Sequence, residues 1–271
     1  MASNEINTVG AIQDKFGGYW VEWSRSQCLT KAEILGSNVF TVNGNYGDTE
    51  CPRMDDIAKK VNSTVLLLPG DSFYDQSVYG HSMTIGGGFA ISAGITHYMP
   101  ESYVLDNNTQ YCYTTGVNPF LYTTSEFTME AWVYPIASGD YKTIFSCGRG
   151  SYLIRINPSN KLQILKDYVS DEATSFISIS LNQWSHVALV NYGGYLRAYL
   201  NGQLACTSAS ATSTYVSPYG LYIGQDKVAA DDNNNADGER FMGRMEQIRV
   251  SNIARYTSNF TPPSGPFSND G

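Results

Sequence analysis

The residues between Asp226 and Glu239 form the densest set of oxygen ligands in the chain: Asp226, Asp231, Asp232, Asp237 and Glu239, with Asn233, Asn234 and Asn235 among them. Calcium takes about six to eight hard oxygens from carboxylates, amide side chains and carbonyls, so Asp226, Asp231, Asp232 and Asp237 are the candidate ligands. Their spacing is not that of an EF-hand, which needs Gly at the sixth place and Glu at the twelfth. A solvated acidic loop is the plain alternative.

Two carboxylates on one strand face are the second chemistry to weigh. Glu126 and Glu130 are four residues apart, which puts them on one face of a strand that includes both. A retaining glycosidase holds its pair about 5–5.5 Å apart. Glu126, however, adjoins the expected turn Thr123-Thr124-Ser125, and no third acid follows, so a solvated edge carboxylate is the simpler reading. His81, His97 and His186 are too dispersed for a triad, and no Gly-x-Ser-x-Gly elbow occurs. Catalysis is not expected.

Aromatic residues give the third. Trp132 and Tyr134 alternate with Val133 on the same face as Glu130, and Tyr199 shares a face with Tyr195 and Arg197. Rings beside a few polar groups suit a sugar, so Trp132, Tyr134 and Tyr199 are the candidate glycan contacts, with packing inside the protein as the alternative. Trp20 and Trp23 stand close together in a short polar segment. Trp is enriched among interface anchors, which makes them candidates for docking a partner.

These residues sit on short alternating segments. Trp184 to Val190 and Tyr195 to Leu200 alternate with period two, and Asn191 to Gly194 and Asn201-Gly202 supply the turns between them. The same pattern predicts strands over Val65–Leu68, Ser82–Ile85, Phe127–Tyr134, Tyr152–Ile156, Lys161–Leu165, Phe176–Ser180, Leu221–Gly224 and Phe241–Val250. About ten strands joined by Gly, Pro and Asn turns describe two packed antiparallel sheets. Met54 to Val61 has helical spacing and marks a boundary. Residues 1–60 then form an N-terminal anchoring or docking segment, and 61–271 the sandwich. Phe260 to Phe267, with three prolines, cannot join a ladder and is expected to wrap the outside.

Composition sets bounds. Twenty Tyr, 25 Gly and a charged fraction of 15% favour strands and turns, and 42% hydrophobic residues suffice for a core. A net charge of −8, with no basic stripe, argues against nucleic acid. No apolar run is long enough to span a membrane, and the chain starts without a signal-peptide pattern, which predicts synthesis and folding in a reducing cytoplasm. The five cysteines are then mostly buried thiols, and the Asn-x-Ser/Thr triplets at Asn62, Asn107 and Asn259 are chance matches.

The order Val65-Leu66-Leu67-Leu68, Phe127 to Val133, Trp184-Ser185-His186-Val187-Ala188, Tyr199-Leu200-Asn201-Gly202, Tyr222-Ile223-Gly224 and Gly243 to Val250, closed by Ala254-Arg255-Tyr256, resembles the laminin-G-like, concanavalin A-like jelly-roll superfamily. The resemblance covers residues 63 to 267 and implies an all-β, two-sheet antiparallel jelly-roll sandwich. The glucanases of that superfamily carry a Glu-x-Asp-x-x-Glu strand, which is missing here. Its laminin-G-like members often bind calcium at the rim, but Tyr111 to Gly116 lacks the Asp usual for that site. The close Ala254-Arg255-Tyr256-Thr257, Phe260, Pro262-Pro263 looks most like the branch found in tailed phages. That implies a non-enzymatic virion structural protein: a capsid decoration, head fibre or tail-associated module. It would be held by other virion proteins through residues 1–60, act as a homo-oligomer and adhere to a host surface glycan. A carbohydrate-binding lectin or adhesin domain outside any virion is the alternative.

Overall fold

The computed structural model describes residues 63–106, 109–117, 121, 126–136, 139–148, 151–166, 169–208, 220–226 and 239–269, and within 1–62 the backbone of four short strands. The chain divides into two compact units, Met1–Asn62 with Gly271, and Ser63–Asp270. In the first, β1 (Ile12–Gln13) pairs antiparallel with β2 (Tyr19–Trp20), and β3 (Lys31–Leu35) with β4 (Val39–Asn43). Trp20 lies in β2; its side chain, Trp23 and the expected helix at 54–61 are outside the described residues.

The second unit is the expected sandwich. One sheet contains β5 (Thr64–Leu68), β7 (Ala90–Ser92), β8 (Ser102–Leu105), β10 (Phe127–Pro135), β15 (Ser185–Tyr192), β16 (Tyr195–Leu200), β17 (Gln203–Thr207) and β19 (Gly243–Ser251). The other runs in the order β14 (Val169–Ser178), β13 (Lys161–Lys166), β12 (Tyr152–Ile156), β11 (Lys142–Ser146), β18 (Leu221–Ile223), β9 (Tyr111–Thr114), β6 (Thr84–Gly86). The pairings between these strands are antiparallel. The inward side chains interdigitate as one core, including Phe127, Met129, Ala131 and Val133 from β10, Val187 and Leu189 from β15, and Ile154, Ile164, Leu221 and Ile223 from the facing sheet. Period-two alternation produces this arrangement directly, because each strand presents every second side chain to the space between sheets.

A bulge in β19 decides what the first sheet shows outward. Pairing with β10 shifts between Glu130 and Trp132, whose partners are Arg249 and Glu246, and Gln247 takes φ 53° there. The Gln247 side chain donates to Pro69 O at 3.1 Å and accepts from Phe267 N at 2.6 Å, tying the bulge to the chain's C-terminal tail.

That tail crosses the outer face of the eight-stranded sheet, as its prolines predict. Phe260 N donates to Gly202 O at 2.9 Å, and the ring of Phe260 stacks on Tyr256 at 3.5 Å between centroids. Gly202 has φ +78°, and a Cβ there would stand 1.9 Å from Phe260 O. Gly202→Val is therefore expected to lower stability by upward of about 1 kcal/mol and to release the tail to proteolysis first. Thermal unfolding and limited digestion with mass mapping check both. Asn259 is engaged here too: its Oδ1 accepts from Leu204 N at 2.8 Å and its Nδ2 donates to Gln203 Oε1 at 3.1 Å.

Candidate functional site

The two outer faces of the sandwich carry different side chains. On the eight-stranded sheet, Glu130 sits at the centre of a sealed charge network. Its Oε1 accepts from Arg249 Nε at 2.8 Å and its Oε2 from Tyr256 OH at 2.7 Å, with His186 Nε2 at 3.0 Å from Oε2. Burial alone would raise the Glu130 carboxyl, but His186, Arg249 and Tyr256 together hold it at about 2. Glu130 is fully buried, which corrects the solvated edge carboxylate expected from sequence. The reason is the tail, which the alternation of β10 cannot reveal. Glu126, half-buried, accepts from Ala254 N at 3.5 Å instead of pairing with Glu130.

The same cover takes Trp132 and Tyr199. Trp132 is 8% exposed, clustered with Leu67 and Phe267, and its ring stands 4.2 Å from that of His97; Tyr199 is fully buried against Phe260 and Tyr256. Neither ring is open to a glycan in this fold, which corrects the sequence expectation for both. Tyr134 stays half-buried at the rim, edge-on to Trp184 at 5.6 Å. The motif Ala254-Arg255-Tyr256 has a packing role: Arg255 donates to Ser251, Ser63 and Thr64, lacing β19 to β5, while Tyr256 reaches Glu130.

The outer face of the seven-stranded sheet has another character. In β9, Cys112 and Thr114 point inward, so Tyr111 and Tyr113 point out. In register beside Tyr113 stand Thr84 on β6 and Tyr222 on β18, and beside Tyr222 stands Ser146 on β11. The rings of Tyr113 and Tyr222 are parallel within 6° at 4.7 Å, and Tyr111 lies 5.8 Å from Tyr222. The ring of Tyr111 covers Gly86, where a Cβ would come within 2.3 Å of it. Tyr222 is buried and supports Tyr113; Tyr111 and Tyr113 are half-buried.

Fixed polar groups continue this row. Ser146 Oγ donates to Asp226 Oδ1 at 2.7 Å. One strand further, Arg155 donates to Glu239 Oε1 at 2.8 Å and to Gln163 Oε1 at 3.2 Å, with its guanidinium 3.8 Å over the ring of Tyr141. Gln163 in turn donates to Thr174 at 3.1 Å. Arg240, near Tyr111, has its guanidinium value lowered by burial. Most of these groups are buried: Ser146 is 0% exposed, Asp226 1%, Gln163 4%, Arg155 7% and Glu239 8%.

Of the expected calcium ligands, Asp226 is buried and bonded to Ser146, and Asp231, Asp232 and Asp237 lie outside the described residues. Among the described residues no group of three or more His, Cys, Asp or Glu side chains is arranged to hold a metal. Cys112, Cys147 and Cys206 are buried, and burial pushes the Cys206 thiol up to about 12. Tyr111, Tyr113 and Tyr222 were not among the sequence candidates. Their signal was the inverted alternation of β9, with rings out and small groups in.

Residues 106–258 match the family model described as the concanavalin A-like lectin/glucanases superfamily. The chain belongs to that superfamily. No curated protein matches this superfamily member in sequence. Among solved structures it is similar to botulinum neurotoxin type C, whose cell entry depends upon interaction with two ganglioside molecules, with a TM-score of 0.54 and 17% identity over 73% of this chain and 50% of that one. It is similar to domain 4 of AbnA, a GH43 extracellular arabinanase from Geobacillus stearothermophilus solved in complex with arabinotriose, with a TM-score of 0.52 and 16% identity over 71% of this chain and 93% of that one. It is also similar to the binding domain of botulinum neurotoxin DC in complex with rat synaptotagmin II, with a TM-score of 0.52 and 16% identity over 72% and 49%. The chain spans about half the length of the toxin chains it matches. At these identities the likeness is one of concanavalin A-like fold.

Proposed function

We propose that this chain is a non-enzymatic carbohydrate-binding module that takes an oligosaccharide on the outer face of its seven-stranded sheet, across Tyr111 and Tyr113. The observation that carries this reading is the tyrosine row itself: two outward, half-buried rings, one of them supported by the parallel ring of Tyr222. A sugar offers its C–H face to a ring, so rigid tyrosines give contact area at low entropic cost. The opposite face is closed by the tail. Support comes also from structural neighbours, one solved with arabinotriose and one whose study concerns gangliosides.

A place on a phage particle rests on the resemblance of residues 254–263. A displayed module would use the same tyrosine face against host polysaccharide, with residues 1–60 as its anchor, but Arg255, Tyr256 and Phe260 are engaged in packing their own domain. The module reading is therefore preferred. The test is a glycan array with the full chain and its Tyr111→Ala/Tyr113→Ala variant. Retention of at least one glycan, weakened roughly tenfold or more in the variant, is expected, since truncating aromatic anchors commonly costs more than about 1 kcal/mol each. Retention by neither protein, or equally by both, contradicts it.

A further inference from the structure

Half of the large apolar side chains most exposed among the described residues lie on one short stretch: Tyr74 at 83%, Val78 at 55%, Tyr79 at 38% and Ile85 at 38%. Rings left in water on a mobile loop tend to fold back onto apolar surface, yet this loop is held fast. The carboxylate of Asp75 accepts four bonds: Oδ1 from Leu67 N at 2.9 Å and Ser77 N at 2.8 Å, Oδ2 from Ser77 Oγ at 2.8 Å and His81 N at 2.8 Å. Gln76 N donates to Leu67 O at 2.8 Å, and Tyr103 OH to Ser72 O at 2.5 Å. The loop is thus clamped to β5 and β8 at several points, and its rings are displayed on a rigid frame.

The frame also has a defined relation to the tyrosine row. The ring of Tyr79 is parallel to that of His81 within 6°, at 5.7 Å between centroids. The imidazole of His81 lies over Gly116, where a Cβ would come within 2.3 Å of Nδ1, and Gly116 N donates to Thr114 Oγ1 at the end of β9. The strand that carries Tyr111 and Tyr113 therefore ends against His81, and the chain leaving His81 enters β6, the neighbour of β9.

We infer that the Asp75-clamped loop, residues 71–81, is a second aromatic subsite that holds the distal part of a neutral oligosaccharide through Tyr74 and Tyr79. This rests on the carbohydrate-binding reading above and adds to it a length requirement and a charge preference. The loop carries Asp71 and Asp75 and neither Lys nor Arg, so an anionic sugar would meet like charge there. The hydroxyl of Tyr74 adds a donor and an acceptor beside its ring face. Two subsites on one rigid domain act on a single ligand by effective concentration, so only glycans long enough to reach both gain from it.

The experiment uses the full chain on an array of neutral and sialylated oligosaccharides graded in length, comparing wild type, Tyr74→Ala/Tyr79→Ala and Tyr111→Ala/Tyr113→Ala, each with its circular dichroism checked. The inference predicts that the loop variant loses roughly tenfold or more on long neutral chains and nothing on the shortest that bind. Equal affinities at every length, or a loss confined to sialylated glycans, overturn it while leaving the tyrosine row intact. Binding that survives in the row variant and disappears in the loop variant overturns the row and keeps the loop as a glycan site. A wild type that retains nothing overturns both.

Discussion

Glu130→Ala is expected to lower the stability of the sandwich by about 3–5 kcal/mol, because it leaves Arg249 and His186 buried around a missing charge. The carboxylate has no solvent to fall back on, and its partners come from three segments: β15, β19 and the tail. Tyr256→Phe, which removes one charge-assisted bond and no charge, is expected to cost about 1.5–3 kcal/mol. The network also sets an acid limit. Glu130 is held at about 2 when folded against 4.5 as its ordinary value, so its contribution is complete above about pH 4.5 and fades as pH falls towards 2. The shift corresponds to roughly 3 kcal/mol. Urea midpoints followed from pH 7 to 2.5 should fall steeply below about pH 4.5 in wild type. In the Glu130→Ala variant they should be lower throughout and flatter over that window. A variant as stable as wild type at neutral pH would remove the network from any account of the fold.

Trp132→Ala is expected to cost about 3–5 kcal/mol as well, by a different route. The indole is 8% exposed and fills the space between Leu67, Phe267 and the ring of His97. Its loss opens a cavity under the tail and should release residues 261–269 before the core unfolds. Equilibrium denaturation gives the first quantity, and hydrogen exchange along the tail the second. The distinguishing result is binding: the folded variant is expected to retain glycans as wild type does, because Trp132 faces the tail and not the tyrosine row. A selective loss of glycan retention with unchanged stability would return Trp132 to the binding surface.

The fate of Trp132 shows where a local pattern stops being informative. Alternation in Phe127 to Tyr134 assigns Glu130, Trp132 and Tyr134 to one face, and that assignment holds. It cannot say what lies over the face, since the cover comes from elements remote in sequence: His97 and Leu67 over Trp132, and Tyr256, 126 residues from Glu130. The ten expected strands all appear, with β14 reaching back from the expected Phe176 to Val169. Five sandwich strands were not expected, β7, β8, β9, β11 and β17, and two of them show why. Lys142–Ser146 is buried at every position and shows no alternation, and Tyr111–Thr114 puts Cys and Thr inward and its rings outward, the reverse of the usual polarity. The outward rings of the candidate site belong to that second strand. Asp75, by contrast, carried a readable signal: an Asp two residues before Ser77 can accept its N–H in an Asx turn, and it does so at 2.8 Å.

The central claim, that the outward tyrosines of the seven-stranded sheet bind carbohydrate, is tested most directly by titrating the full chain with arabinotriose and with ganglioside oligosaccharides beside the glycan array. Wild type and the Tyr111→Ala/Tyr113→Ala variant are compared at equal folded concentration. Saturable binding by wild type, weakened roughly tenfold or more in the variant with stability unchanged, is the predicted result. Wild-type binding that the variant reproduces in full, or no binding by wild type to any glycan presented, contradicts it.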